Sequence, residues 1–100
     1  MNTLDEVVIA LCHDYERRRL AIREGGYTRR TLMEYRYLNF RIYEAAAEIA
    51  GERDAELFIK EIGECTGYAK SELYHMSETT YKRKKSDIKR GVALKLHLID

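Results

Sequence analysis

Proline is absent from this 100-residue chain, so no residue removes a backbone donor from a helix interior and long helices are permitted throughout. Tryptophan is absent and phenylalanine occurs twice, which leaves the aromatic volume to eight tyrosines. Cysteine occurs only at Cys12 and Cys65, far apart in sequence. That excludes a disulfide framework and points to a reducing compartment. The apolar run Val7-Val8-Ile9-Ala10-Leu11-Cys12 falls far short of the roughly 20 residues that span a bilayer. The first residues carry Asp5 and Glu6 rather than a basic stretch, so a signal peptide is not expected. A cytoplasmic protein with no membrane partner is the expectation.

Catalytic and metal-binding patterns are missing as well. His13, His75 and His97 stand apart, and there is no Cys-x-x-Cys, no His-x-x-x-His and no cluster of carboxylates. No metal site and no cofactor are therefore expected. Gly63 and Gly67 lack the strand and the lysine that a phosphate-binding loop requires. Nor does the chain offer a nucleophile beside a base. It is not expected to be an enzyme or to take a small-molecule substrate.

What remains is a chain made for helices. One hundred residues with 45% apolar and 35% charged content make one domain with a modest core and much charged surface. Thr3-Leu4-Asp5-Glu6 reads as a capping box. From it Leu4, Val8, Leu11, Tyr15 and Ile22 follow helical spacing to Gly25-Gly26, with Val7 widening the stripe. Thr28 can cap a second helix ending at Gly51, and Asp54 a third on which Ala55, Phe58, Ile59 and Ile62 form the buried face. Gly63 and Gly67 weaken and end that helix. Tyr68 to His75 is helical by composition, and Ser77 begins a last helix through about Leu98. No strand pattern, repeat or low-complexity segment appears. The expected fold is all-α, a four- to five-helix bundle with a helix-turn-helix-like C-terminal unit. Residues 1–66 would form the helical core and dimerisation part, and residues 67–100 the basic part.

The second helix is apolar on more than one side, which suits a central element. Leu32, Tyr35, Asn39, Ile42, Tyr43, Ala46 and Ile49 form a heptad-like seam, and Asn39 within it could set the register of a helix pair. A homodimer through this seam is expected. The alternative is a core helix whose one polar residue faces a loop or water.

Charge is concentrated at the other end. Residues 81–97 hold seven Lys/Arg against Asp87 alone, a net of +6, and the formal net charge of +1 leaves the rest of the chain at −5. A positive helix on an acidic body suits a polyanion. A DNA-reading helix needs an exposed N-terminus, small polar residues for bases and cations for phosphates. Ser77-Glu78-Thr79-Thr80 running into Lys82-Arg83-Lys84-Lys85 supplies all three. Thr79, Thr80 and Arg83 are the expected base contacts. Ser77, Lys82, Lys84, Lys85, Lys89 and Arg90 are the expected phosphate contacts. Tyr81 is either a core anchor or a hydroxyl donor to phosphate. Residues 68–76 would be the supporting helix and turn, packed through Leu73 and Met76.

A second basic concentration comprises Arg17, Arg18, Arg19, Arg23, Arg29, Arg30, Arg36 and Arg41. It is either a second phosphate surface or a set of ion pairs with Asp14, Glu16, Glu24, Glu34 and Glu44 at helical spacings. The tyrosines read as packing residues rather than as a platform for single-stranded bases. Without a nucleic-acid role, the chain would be a non-catalytic helical oligomer.

The stretch Gly67-Tyr68, then Met76 through Lys85, then Ala93-Leu94-Lys95-Leu96-His97-Leu98-Ile99, resembles the C-terminal part of RinA/ArpU-like phage transcriptional regulators. Its carrier is a serine, then threonine, then an aromatic, then a basic run. The resemblance covers about a third of the chain. It implies a sigma-like helix-turn-helix and sequence-specific binding of double-stranded DNA as a dimer, in control of phage or mobile-element genes.

Overall fold

Thr28 and Gly51 bound the longest helix, as their positions predict. Thr28 is extended and its Oγ1 accepts a hydrogen bond from the Thr31 amide at 3.2 Å. Gly51, at φ 85°, turns the chain directly from this helix into the next, a backbone conformation that glycine adopts at no steric cost. In a computed structural model that describes residues 3–99, the order is α1 (Thr3–His13), α2 (Tyr15–Glu24), α3 (Arg29–Ala50), α4 (Glu52–Gly63), a 3₁₀ turn (Tyr68–Lys70) and α5 (Glu78–Lys95). The described residues contain no strand, and the fold is an all-α bundle.

The helix α3 packs against α2, α4 and α5, while α1 lies against α4 and α5. Val8 and Cys12 of α1, Ile42 and Ala46 of α3, Phe58 and Ile62 of α4, and Tyr81, Ile88 and Val92 of α5 fill the core. Two glycines let helices approach closely. A Cβ on Gly63 would lie 2.6 Å from the His13 amide nitrogen, so α4 and α1 touch backbone to backbone there. A Cβ on Gly91 would meet Ala45 Cβ at 3.4 Å, where α5 crosses α3.

Four local expectations are corrected. The first helix is two helices, broken at Asp14 (φ −89°, ψ 3°). Thr3 is already helical rather than a cap. Asp54 does not cap α4, which starts two residues earlier; Asp54 is buried in its first turn and bonded to His75 Nε2 at 3.0 Å. Tyr68 to His75 forms no helix beyond the single 3₁₀ turn. The Glu72 and Leu73 amides find side-chain acceptors instead, on Glu61 and Ser71.

Neither α4 nor α5 has glycine at its left-handed closing position. Thr66 N donates to Glu61 O and Cys65 N to Ile62 O, at 2.9 and 3.2 Å, the paired bonds of a Schellman motif. Leu98 N and His97 N repeat the pattern on Ala93 O and Leu94 O, at 2.8 and 3.1 Å. The left-handed positions fall to Cys65 (φ 56°) and His97 (φ 58°).

Candidate nucleic-acid interface

The start of α5 is built from a serine cap. Ser77 is extended, and its Oγ accepts from the Thr80 amide at 3.2 Å while lying 3.0 Å from Thr80 Oγ1. The Thr80 hydroxyl is thus engaged in the cap and the residue is half-buried. Ser77, Glu78 and Thr79 are exposed, and the first-turn amides have no helical acceptor.

Helical spacing divides the rest of α5 into two faces. Tyr81, Ile88 and Val92 point into the core, with Ala93 at its edge. Thr79, Arg83 and Arg90 are exposed on the opposite face, with Asp87 between the two arginines. Arg83, Lys84 and Arg90 make no ion pair among the described residues. Lys82 reaches Glu78 at 3.3 Å, but both side chains are well exposed, so this pair contributes little. Lys89 is half-buried beside Leu4, Asp5 and Ile99.

Lys85 differs from its neighbours. Its Nζ donates to the Thr66 carbonyl and lies 5.3 Å from the centre of the Tyr81 ring. Burial, and then the nearby Lys89 charge, push its ammonium below the ordinary lysine range. Lys85 is therefore a brace holding the loop before α5, not an outward phosphate contact.

That loop is organised by a buried carboxylate. Glu61, 3% exposed, accepts from Ser71 Oγ at 2.6 Å, from the Glu72 amide at 2.9 Å and from Tyr81 Oη at 2.7 Å. Ser71 Oγ in turn accepts from the Leu73 amide at 2.8 Å. Tyr68 Oη donates to Met76 O at 2.6 Å, closing the loop onto the start of α5. Leu73 is fully buried beneath it. Tyr81 takes the core role: its ring stacks on Phe58 at 5.6 Å, and burial followed by the Glu61 bond pushes its hydroxyl up to about 12. The supporting helix expected at 68–76 is thus replaced by a hydrogen-bonded loop seated on α4.

The seam on α3 faces inward. Asn39, Ile42 and Ala46 are buried within the protomer, Leu32, Tyr35 and Tyr43 are half-buried, and Ile49 alone is exposed. As a dimer surface this set is corrected, because its central members already pack on the chain's own helices. Asn39 Oδ1 accepts from Arg18 Nε at 2.7 Å and its Nδ2 donates to Tyr15 O at 3.0 Å. Arg18 also donates to the Leu11 carbonyl. Sequence reasoning missed Arg18, hidden in a run of three arginines, and Glu61, hidden on a helix rich in charge. Tyr37 and Phe40, which fall off the seam at helical spacing, are the sequence signal for an outward apolar face.

The remaining arginines largely form helical ion pairs. Arg17 meets Asp14 at 3.3 Å, Arg19 meets Glu16 at 2.7 Å, Arg30 meets Glu34 at 3.5 Å and Arg41 meets Glu44 at 2.8 Å. Cys12 is buried and its thiol pushed up to about 12 by that burial, while Cys65 is exposed; both are free. A groove of about 490 Å³ between α2 and α4 is lined by residues that include Cys12, Arg19, Glu56 and Lys60. Among the described residues no group of three or more His, Cys, Asp or Glu could hold a metal ion. Likewise, no described helix is long and apolar enough to cross a membrane. No known family matches the chain, and no curated protein or solved structure is detectably similar to it.

Proposed function

We propose that this chain is a double-stranded-DNA-binding transcriptional regulator of phage or mobile-element type, acting in the cytoplasm, with α5 as its reading helix. The observation that carries the reading is the outward face of α5, where Thr79, Arg83 and Arg90 line up behind an exposed N-terminal turn and the arginines make no ion pair among the described residues. Lys82, Lys84 and Lys89 flank that face and suit phosphates on either side of a groove. Thr79 and Arg83 meet base edges. Ser77 and Thr80 serve by shaping the turn, since their hydroxyls cap each other. Lys85 leaves the phosphate set. The likeness of the 67–99 stretch to RinA/ArpU-like regulators supports the same assignment.

Fluorescence anisotropy with duplex DNA at rising salt tests it. With about four to five phosphates neutralised, the log–log slope of affinity against salt is about −4. A flat salt response, or no binding at low salt, overturns the reading. Arg83→Ala relaxes discrimination between sequences, whereas Lys84→Ala weakens all sequences alike.

A further inference from the structure

Opposite its buried seam, α3 presents Met33, Tyr37 and Phe40 to solvent at 58%, 49% and 61% exposure. These three large side chains recur at helical spacing, one above the next, on a helix of 22 residues. Such a stripe on a small chain marks a contact surface. The charges around it say what covers it. The outward face carries Arg30 and Glu34 before Tyr37, and Arg41 and Glu44 after it, with the exposed Arg36 along its edge beside Met33 and Phe40. Interspersed charges of both signs do not suit a polyanion or an anionic lipid surface. They do suit the same helix turned around.

We propose that a second copy of this chain pairs on the outward face of α3, antiparallel, about a two-fold axis near Tyr37. Arg30 lies seven residues before Tyr37 and Glu44 seven after it, so each faces the other across the axis, twice. Glu34, three before, meets the neighbouring copy's Phe40–Arg41 pair, three and four after. Met33 and Phe40 close over the paired Tyr37 rings. A parallel pairing would instead set Arg30 against Arg30 and Glu44 against Glu44. The charge order therefore selects the antiparallel arrangement, as opposite and like charges do in paired helices. Arg41 already lies over the Tyr37 ring at 5.9 Å, and Glu44 takes both Arg41 and Lys95 on one oxygen. The helix spans roughly 33 Å, long enough for the whole stripe to engage.

Sedimentation without nucleic acid tests this pairing independently of the DNA-binding reading. The wild-type chain is expected to dimerise and Phe40→Asp to weaken the dimer at least about tenfold. Two complementary variants sharpen the test: Arg30→Glu with Arg41→Glu makes all four of the charges at positions 30, 34, 41 and 44 acidic, and Glu34→Lys with Glu44→Lys makes all four basic. Each alone is expected to be monomeric, with helicity retained by circular dichroism, and a one-to-one mixture to form a heterodimer. A wild-type monomer at concentrations up to roughly 1 mM overturns the proposal and leaves the stripe to a different partner. So does a dimer that Phe40→Asp leaves intact, or a mixture that stays monomeric while the wild type dimerises.

Discussion

Arg18 and Glu61 are each 3% exposed, and neither meets an opposite charge within ion-pair distance among the described residues. The surroundings of the two differ in a way that explains their signs. Arg18 sits where α1 breaks into α2, and together with Asn39 it reaches the carbonyls of Leu11 and Tyr15 on either side of Asp14. A guanidinium donates only, and acceptors are what this break exposes. Glu61 sits where helix gives way to loop, among a serine hydroxyl, a backbone amide and a tyrosine hydroxyl. An ionised carboxylate accepts only, and donors are what gather there. A buried charge can thus be held by neutral hydrogen bonds of one polarity. The two sites differ also in what they support: the arginine fixes α2 on α3, whereas the glutamate fixes the approach to α5.

Removing either hub should therefore cost stability, but only one should reach the proposed DNA surface. The largest effect is expected from Glu61→Ala, which removes the acceptor shared by Ser71 Oγ, the Glu72 amide and Tyr81 Oη and costs about 3–4 kcal/mol. Urea denaturation measures that cost, and hydrogen exchange should show amides of residues 66–76 losing protection. Duplex affinity should fall too in the fraction that stays folded, because the cap of α5 loses its seat. Asn39→Leu is expected to cost about 2–3 kcal/mol by stranding Arg18 and the Tyr15 carbonyl. It should leave the affinity of the folded protein for duplex unchanged. Equal losses of affinity in both variants would erase the distinction drawn between the two sites.

A smaller effect distinguishes the sites by pH. The Tyr81 hydroxyl, like the Cys12 thiol, is held up to about 12, so the unfolded chain releases these protons first as pH rises. The stability they contribute is fully present below the ordinary values, 9.0 for Cys12 and 10.0 for Tyr81, and is lost towards 12. Denaturation curves at increasing alkalinity should show the loss, and Tyr81→Phe should shallow it. A curve unchanged by that substitution would remove Tyr81 from the hub. Least affected should be Lys82→Ala, within about 0.5 kcal/mol of wild type, because its pair with Glu78 is solvent-exposed.

Much of this architecture was legible in the sequence, and the reason is periodicity. The Thr28 cap, the Gly51 turn, the buried face of α4 and the Ser77 cap follow from local rules that the chain obeys. The segment from Tyr68 to His75 misled because composition favours a helix there, while its structure depends on Glu61, which is distant in sequence. Composition cannot report a hydrogen bond formed across ten or eleven residues. The seam on α3 was correctly read as apolar, but periodicity alone does not say which of two apolar faces meets the chain's own helices. Asn39 lies buried because Arg18 is there to meet it, and nothing local to either residue signals the pairing. In the basic run, Lys84 and Lys85 look equivalent as letters. A turn of 100° per residue separates them: Lys85 folds back onto the Thr66 carbonyl, whereas Lys84, also half-buried, makes no ion pair among the described residues.

That separation supplies the most direct measurement of the central claim. Salt titrations of duplex binding would compare wild type with Lys84→Ala, Arg90→Ala and Lys85→Ala. If α5 reads DNA through its outward face, Lys84→Ala and Arg90→Ala each reduce the salt slope by about 1, while Lys85→Ala leaves the slope intact and lowers stability instead. Equal slope changes for all three, or duplex binding insensitive to Lys84 and Arg90, would contradict it.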